Sequence, residues 1–382
     1  MMCQIDKVLI DDIVQEYGSP LYVYDANCVR DNYLRIVSSF KNIVHKIHYA
    51  MKANENVALL YVLKDLGCGI DAVSPYEIDR ALNIGFDPSD IVFTPSCTSV
   101  NEIVYGLELG VHVHIGALEY FPMLEEHLKG KKIGLRLNPA ISIEGNQKIA
   151  TGHLGSKFGI PVNYLNKVLE YKDKYGFDVI GLHIHTGSNI HDVEGLKRSV
   201  DSLFEYAKLF DEIKYLDIGS GLKIKYKEGD LDIDLDEYAH YIRCKLNEFG
   251  KHVEIKVEPG KYLIGNAGYL ITKVNIVKKG YNKLFVGVNS GFNHLIRPMY
   301  YDAYHEIVNI SNPKGDLLKY DIVGQLCEED TFARDRELNE VRVGDTLLIK
   351  SAGAYGFSMA MDYNLRKKPK EILIEDDKVF LV

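Results

Sequence analysis

Lys52 stands in the run His48-Tyr49-Ala50-Met51-Lys52-Ala53-Asn54, one step beyond a short apolar segment and directly before a turn and a helix. A lysine at the end of a buried strand is poorly solvated. Burial disfavours the ammonium form and lowers its pKa toward the value at which a free amine attacks a carbonyl, the chemistry of a Schiff-base lysine. Read alone, Lys52 fits that role, but it also fits an ordinary lysine in a chain with 45 Lys and Arg residues. Other chemical groups recur at similar places. Leu182-His183-Ile184-His185-Thr186-Gly187-Ser188 puts two histidines two residues apart, hence on one face of a strand. Asp217-Ile218-Gly219-Ser220-Gly221 is a small-residue turn whose N–H groups can approach a phosphate. Glu258-Pro259-Gly260-Lys261 combines an acid, a turn, a bare backbone and a cation. The histidine pair, repeated as His112-Val113-His114, also suits zinc, but Pro-Gly follows the acid at Glu258 where further metal ligands would be needed, so no metal is expected.

These residues need a frame that collects strand ends. Between residues 46 and 258, short apolar or β-branched runs alternate with longer amphipathic segments, the pattern of repeated βα units. Eight strands are predicted: Lys46–Ala50, Gly69–Val73, Ile91–Thr94, Val111–Ile115, Lys132–Leu137, Val179–His185, Lys214–Ile218 and Val253–Val257. Helical patterns such as Val57–Leu66, Pro75–Leu82 and Val193–Phe210 separate them. Eight such units close into a (β/α)8 barrel, a TIM barrel, whose chemistry belongs to the C-terminal ends of the strands and whose phosphate site commonly uses the loops after strands seven and eight. The turn at Gly219–Gly221 and the acid at Glu258 fall at those two loops.

Beyond Glu258 the rhythm changes. Tyr269–Val277, Lys283–Val288, Leu318–Val323, Asp345–Ile349 and Glu371–Ile374 read as strands joined by turns. The chain therefore divides into a barrel over 26–264 and a mostly β, barrel-like domain formed by 265–382. The strand-like run Pro20–Tyr24 precedes the barrel by a helix and joins that second domain, which then includes residues 1–25.

With 46% hydrophobic and 26% charged residues, no low-complexity stretch and 382 residues, the chain can bury a large core and a smaller one. A net charge of -9 argues against a phosphate-neutralising, nucleic-acid-binding face. No segment approaches the roughly 18 apolar residues of a membrane span, and the start of the chain lacks the apolar core of a signal peptide, so a cytoplasmic protein without membrane attachment is expected. The six cysteines show no paired spacing, which predicts reduced thiols.

Taken in order, Tyr-Ala-Met-Lys-Ala-Asn at 49–54, His-Thr-Gly-Ser at 185–188, Glu-Pro-Gly at 258–260, Arg-Pro at 297–298, Cys-Glu at 327–328 and Ala-Tyr-Gly at 354–356 resemble the fold-type III pyridoxal-phosphate decarboxylases, most of all the diaminopimelate decarboxylase family. The match runs from Gly18-Ser19-Pro20 to Tyr363-Asn364. The resemblance implies pyridoxal 5'-phosphate as cofactor, carried on Lys52, with His185 stacked on its ring. Ser188, Gly219, Gly221, Gly260, Lys261 and Tyr355 would help hold it, and Glu258 would pair with the pyridine nitrogen, keeping the ring protonated as an electron sink. Cys327 would be the catalytic acid, offered across a homodimer with shared active sites. Arg297 and Tyr301 would bind the far carboxylate of an amino-acid substrate and Glu328 its ammonium. Asp71, Arg136 and Lys157 also occupy family-like positions.

The chain departs from the family at three places. Lys261 replaces the arginine that usually follows Glu-Pro-Gly, Cys327-Glu328-Glu329-Asp330 is one residue shorter than the usual loop, and Asn289-Ser290-Gly291 replaces Asp-Ala-Gly. These bear on the far end of the substrate. The expected reaction is decarboxylation of meso-diaminopimelate to L-lysine in lysine biosynthesis. The alternatives are decarboxylation of another amino acid or a carboxylated polyamine in a specialised pathway, or amino-acid racemisation.

Overall fold

The computed structural model describes residues 7–141, 151–188, 190, 193–227 and 229–382. Its first strand, β1 (Leu21–Asp25), leads through the helix Ala26–Ser39 into a run of parallel strands. These are β2 (His45–Ala50), β3 (Gly69–Ala72), β4 (Ile91–Phe93), β5 (His112–Ile115), β6 (Lys132–Asn138), the two-residue β7 (Ile160–Pro161), β8 (Asp178–Ile184), β9 (Tyr215–Asp217) and β10 (Glu254–Val257). Strand order is β5-β4-β3-β2-β10-β9-β8-β6, and pairing of β5 with β6 closes the ring, with β7 attached to β6 outside it. The eight predicted strands are the eight barrel strands, within one residue at each end.

Local chemistry explains where the helices between them start and stop. Before Pro75–Ile84, Ser74 Oγ accepts from the Glu77 N–H while Glu77 reaches back to accept from the Val73 N–H, a reciprocal box at a helix whose first residue is proline. Gly85 ends the helix at φ +91°.

The barrel interior is unusually polar. His48, His114, His183, Asp217 and Lys256 are all buried. His114 hydrogen-bonds Thr94 at 2.9 Å and the Tyr215 hydroxyl at 3.0 Å. The Lys256 ammonium lies 4.3 Å from the centre of the Tyr215 ring. Tyr215 fits there only because residue 181 is glycine: a Cβ at Gly181 would lie 2.0 Å from the tyrosine ring.

The second sheet contains β1 together with β11 (Gly268–Lys279), β12 (Leu284–Val288), β13 (Ile307–Asn309), β14 (Leu317–Val323), β15 (Thr331–Asn339), β16 (Thr346–Ile349), β17 (Lys370–Glu375) and β18 (Lys378–Leu381). β1 lies between β11 and β17, so the first strand of the chain does join the C-terminal β structure. The longest strand not anticipated is β15, whose sequence Thr-Phe-Ala-Arg-Asp-Arg-Glu-Leu-Asn carries four charges and lacks a clean alternation. Its register against β14 shifts twice, which breaks the period of two that a sequence pattern relies on.

Cys68, Cys97, Cys244 and Cys327 are free, as expected, but Cys28 is disulfide-bonded, against the prediction of reduced thiols throughout. Among the described residues, no helix is long and apolar enough to cross a membrane.

Candidate active site

The C-terminal ends of the barrel strands open into a cavity of about 390 Å³. Lys52, His185, Ser188, Gly221, Glu258, Gly260, Lys261 and Tyr355 all line it, together with Asp71, Arg136 and Lys157. Lys52 sits in a single 3₁₀ turn, Met51–Ala53, after β2. A loop from the second sheet buttresses that turn: the Tyr355 N–H donates to the Ala53 carbonyl at 2.7 Å, and the Asn54 side chain donates to the Gly353 carbonyl at 3.1 Å. Tyr355 takes a left-handed φ of +56°, a conformation most non-glycine residues avoid and one that turns its ring toward Lys52.

Lys52 forms an ion pair with Asp71 of β3. This overturns the simple expectation that burial alone sets its acidity. Burial does disfavour the ammonium, but Asp71, Tyr355 and Glu258 outweigh it and hold the Lys52 pKa above the ordinary lysine range. In the free protein Lys52 is a held cation, and a reaction at its nitrogen needs that proton to be taken up.

Glu258 follows β10. Its backbone N–H donates to the Gly219 carbonyl at 2.7 Å, tying the strand-eight end to the glycine turn after β9. One carboxylate oxygen accepts from His183 Nε2 at 2.9 Å; the other, Oε1, is buried with no partner. Because a carboxylate only accepts, Nε2 of His183 carries the donated proton; burial lowers the ring's pKa and favours its neutral form, with Nδ1 buried and without a partner. Although burial works against the charge, His183, Lys52 and His114 keep the Glu258 pKa well below the usual carboxylate range. The period-two reading of the histidines therefore divides into two jobs: His183 turns inward to Glu258, while His185, beyond the strand end, lines the cavity. Burial, aided by the charge of Arg136, pushes His185 down to about 3, so its ring is neutral and suited to stacking.

The glycine turn has little room for side chains. Gly219 and Gly221 have φ of +59° and +99°, and a Cβ would meet the Ile184 carbonyl oxygen at 2.7 Å and the Gly187 carbonyl oxygen at 2.4 Å, respectively. Lys261 Nζ lies 3.3 Å from Ser188 Oγ, and burial together with the Arg297 charge lowers its pKa to about 7.

Not every expected residue is gathered here. Arg297 is buried in the helix Arg297–Tyr301, beside the cavity rather than on its lining, close enough for its charge to act on both Lys261 and Tyr355. Tyr301 is half-buried next to it. Cys327 and Glu328 are exposed on the second sheet's loop, away from the cavity, where Tyr363 donates to Glu328. The sequence reading singled out neither His183's hold on Glu258 nor His305, whose ring contacts Arg297.

The residues fit a phosphorylated pyridine: an amine in a buried turn, an unpartnered carboxylate oxygen for a ring nitrogen, a neutral imidazole for its face and a bare-backbone turn for its phosphate. A (β/α)8 barrel with this site defines a class of pyridoxal-phosphate enzymes. Residues 27–265 match the profile of the pyridoxal-dependent decarboxylase family, pyridoxal binding domain. The chain is 38% identical to a diaminopimelate decarboxylase of Methanothermobacter thermautotrophicus, covering 97% of this chain and 90% of that one. It is 36% identical to the enzyme of the same name from Aquifex aeolicus over 99% and 92% of the two chains. The crystal structure of diaminopimelate decarboxylase from Helicobacter pylori complexed with L-lysine superposes with a TM-score of 0.90 at 32% identity, over 97% of this chain and 95% of that one. The chain thus belongs to the family of pyridoxal-dependent decarboxylases; it is a carboxy-lyase whose cofactor is pyridoxal phosphate.

Proposed function

We propose that the protein removes carbon dioxide from meso-diaminopimelate to give L-lysine, as its relatives' names describe. The observation that carries this reading is the pairing of two features: the lysine and half-satisfied carboxylate of Lys52 and Glu258 at the barrel mouth, and a buried guanidinium at Arg297 with no carboxylate partner among the described residues. The first suits the reacting carbon and the second suits a second carboxylate.

When bound, pyridoxal phosphate supplies the electron sink for the pair left behind as carbon dioxide departs. Lys52 would hold the cofactor through Nζ, and Asp71, its ion-pair partner, is placed to manage the proton on that nitrogen. Glu258 keeps the pyridine nitrogen protonated, and His183 keeps Glu258 ionised and aimed. His185 covers the ring face. Ser188, Gly219, Gly221, Gly260, Lys261 and Tyr355 bind the phosphate and its surroundings.

Arg297 and Tyr301 receive the distal carboxylate, and Glu328 the distal ammonium. Cys327 protonates the product carbon from a partner subunit, so the working form is a homodimer; its exposed position in the single chain suits a residue that is offered outward. The catalytic barrel comprises 26–264, and 1–25 with 265–382 form the recognition and dimer domain of a cytoplasmic enzyme.

The test is carbon-dioxide release by the cofactor-loaded protein from meso-diaminopimelate, D-lysine, ornithine and arginine, with L-lysine quantified by chiral chromatography. Turnover of meso-diaminopimelate well above the rest is expected. Equal turnover of D-lysine, which lacks the second carboxylate, refutes the substrate assignment. A Lys52→Ala protein that kept the absorption band of enzyme-bound pyridoxal would refute the role of Lys52.

A further inference from the structure

Arg297 needs something to aim it. Its guanidinium is buried, has no ion-pair partner among the described residues, and hydrogen-bonds His305 Nε2 at 3.4 Å. His305 is itself 1% exposed. Its other ring nitrogen, Nδ1, lies 2.9 Å from the Lys350 backbone carbonyl. A carbonyl oxygen can only accept, so Nδ1 carries the proton; a guanidinium can only donate, so Nε2 must present its lone pair to Arg297. The two contacts select one tautomer and one ring orientation without ambiguity.

The residue is held further through its backbone and by one ring contact. Arg336 donates to the His305 backbone carbonyl at 2.6 Å. Tyr226 packs edge-on against the imidazole, ring centres 5.7 Å apart at 86°, and its own ring lies 5.3 Å from the Arg297 guanidinium. Arg297 is thus supported by an imidazole lone pair and an aromatic face, neither of which neutralises its charge.

We propose that His305 is a positioning residue for substrate recognition: locked by the Lys350 carbonyl into the Nδ1–H tautomer, it fixes the Arg297 guanidinium so that its free N–H groups face the carboxylate of an incoming amino acid. This rests on the assignment of Arg297 to the distal carboxylate. An acid in place of His305 would satisfy Arg297 internally and compete with the substrate. A neutral acceptor orients the guanidinium and leaves its charge available. Burial, with Arg297, Arg336 and Lys261 nearby, pushes His305 down to about 3, so the lone pair persists at every pH at which the protein works.

The experiment compares two ligands on the cofactor-loaded protein by calorimetry: L-lysine, which carries the carboxylate, and 1,5-diaminopentane, which lacks it. Wild type should bind L-lysine more tightly. His305→Phe, which keeps a ring and loses the acceptor, should weaken L-lysine by roughly tenfold, the worth of one hydrogen bond to a charged group, and leave 1,5-diaminopentane unchanged. His305→Gln, with an amide oxygen near the Nε2 position, should recover most of the loss. Equal weakening of both ligands, or none for L-lysine, overturns the proposal while the Arg297 assignment stands. Failure of wild type to distinguish the ligands overturns that assignment and this proposal with it. A measurement on unmutated protein covers a variant that does not fold. Nitrogen chemical shifts of labelled His305 should report protonated Nδ1 and bare Nε2 from pH 5 to 9, and a protonated Nε2 anywhere in that range is contrary to the proposal.

Discussion

The barrel mouth and the corner around Arg297 lie side by side, yet they treat charge in opposite ways. At the mouth the two groups closest to the proposed chemistry each have a partner from another strand end: Lys52 has Asp71, and Glu258 accepts a hydrogen bond from His183. Around Arg297 three cationic or basic groups, Arg297, Lys261 and His305, crowd together, and among the described residues none of them has a carboxylate. Groups already held by partners make a preorganised site, in which the dipoles are set before anything binds. Unpaired buried cations make an unfinished site, because the cost of burying them is relieved only when an anion arrives. On the proposed function, the mouth is then the place for chemistry and the corner the place for recognition.

Breaking the pairing at the mouth should do the greatest damage. Glu258→Gln keeps the shape and an acceptor for His183 but removes the charge proposed to hold a ring proton. A fall in kcat of roughly 10³-fold is expected, the scale of one preorganised electrostatic contact, with the cofactor still bound. Steady-state kinetics together with the absorbance of bound cofactor checks it, and a loss under tenfold would contradict the division drawn here.

At the corner the signature should invert. Arg297→Leu removes the receptor, and the KM for meso-diaminopimelate should rise about a hundredfold, the scale of a lost partner in a buried charge pair. Turnover of the bound substrate should change far less, since the group is remote from the reacting carbon. If instead kcat collapses while KM holds, Arg297 belongs to the chemistry and the contrast between the two regions fails.

A third substitution probes the frame beneath both. In Gly181→Ala the new methyl would sit 2.0 Å from the Tyr215 ring, which also carries His114 and lies under Lys256. Overpacking of this kind costs about 1–3 kcal/mol. Chemical denaturation should show it as a lower midpoint, with the KM for substrate scarcely altered, because the strain enters from the barrel core rather than from the corner.

How far each region could be read in advance follows from the same contrast. The barrel strands were legible because βα alternation is a local signal, and so were Lys52, His185 and Glu258, which stand at strand ends. Partnership was not legible. Asp71 reverses the effect of burial on Lys52 from 19 residues away, and Glu258 meets His183 across 75 residues; only closure of the sheet brings them together. His305 gave no signal at all, being one histidine in a stretch without periodicity, and its tautomer is set by a carbonyl 45 residues on. β15 escaped for a related reason, since its two register shifts remove the alternation that would reveal it.

The smallest predicted effect sharpens the boundary between the regions, because Lys261 belongs to both. It touches Ser188 on the cavity side and feels the Arg297 charge on the other, and burial with that charge leaves its pKa at about 7. An arriving phosphate favours the ammonium and raises this pKa, so cofactor binding takes up a proton wherever the solution pH lies between the free and the bound values. Linkage then fixes the sign. Affinity for pyridoxal phosphate should be greatest below about pH 7 and should decline as the pH rises through the window above it. Lys261→Arg supplies a cation that stays charged throughout, so its affinity profile over pH 7 to 9 should lose the part of the slope that Lys261 contributes. Fluorescence titration of the apo-protein at stepped pH measures both curves. Parallel curves would mean that Lys261 keeps the same protonation state in the free and the bound protein, contrary to the proton uptake expected here.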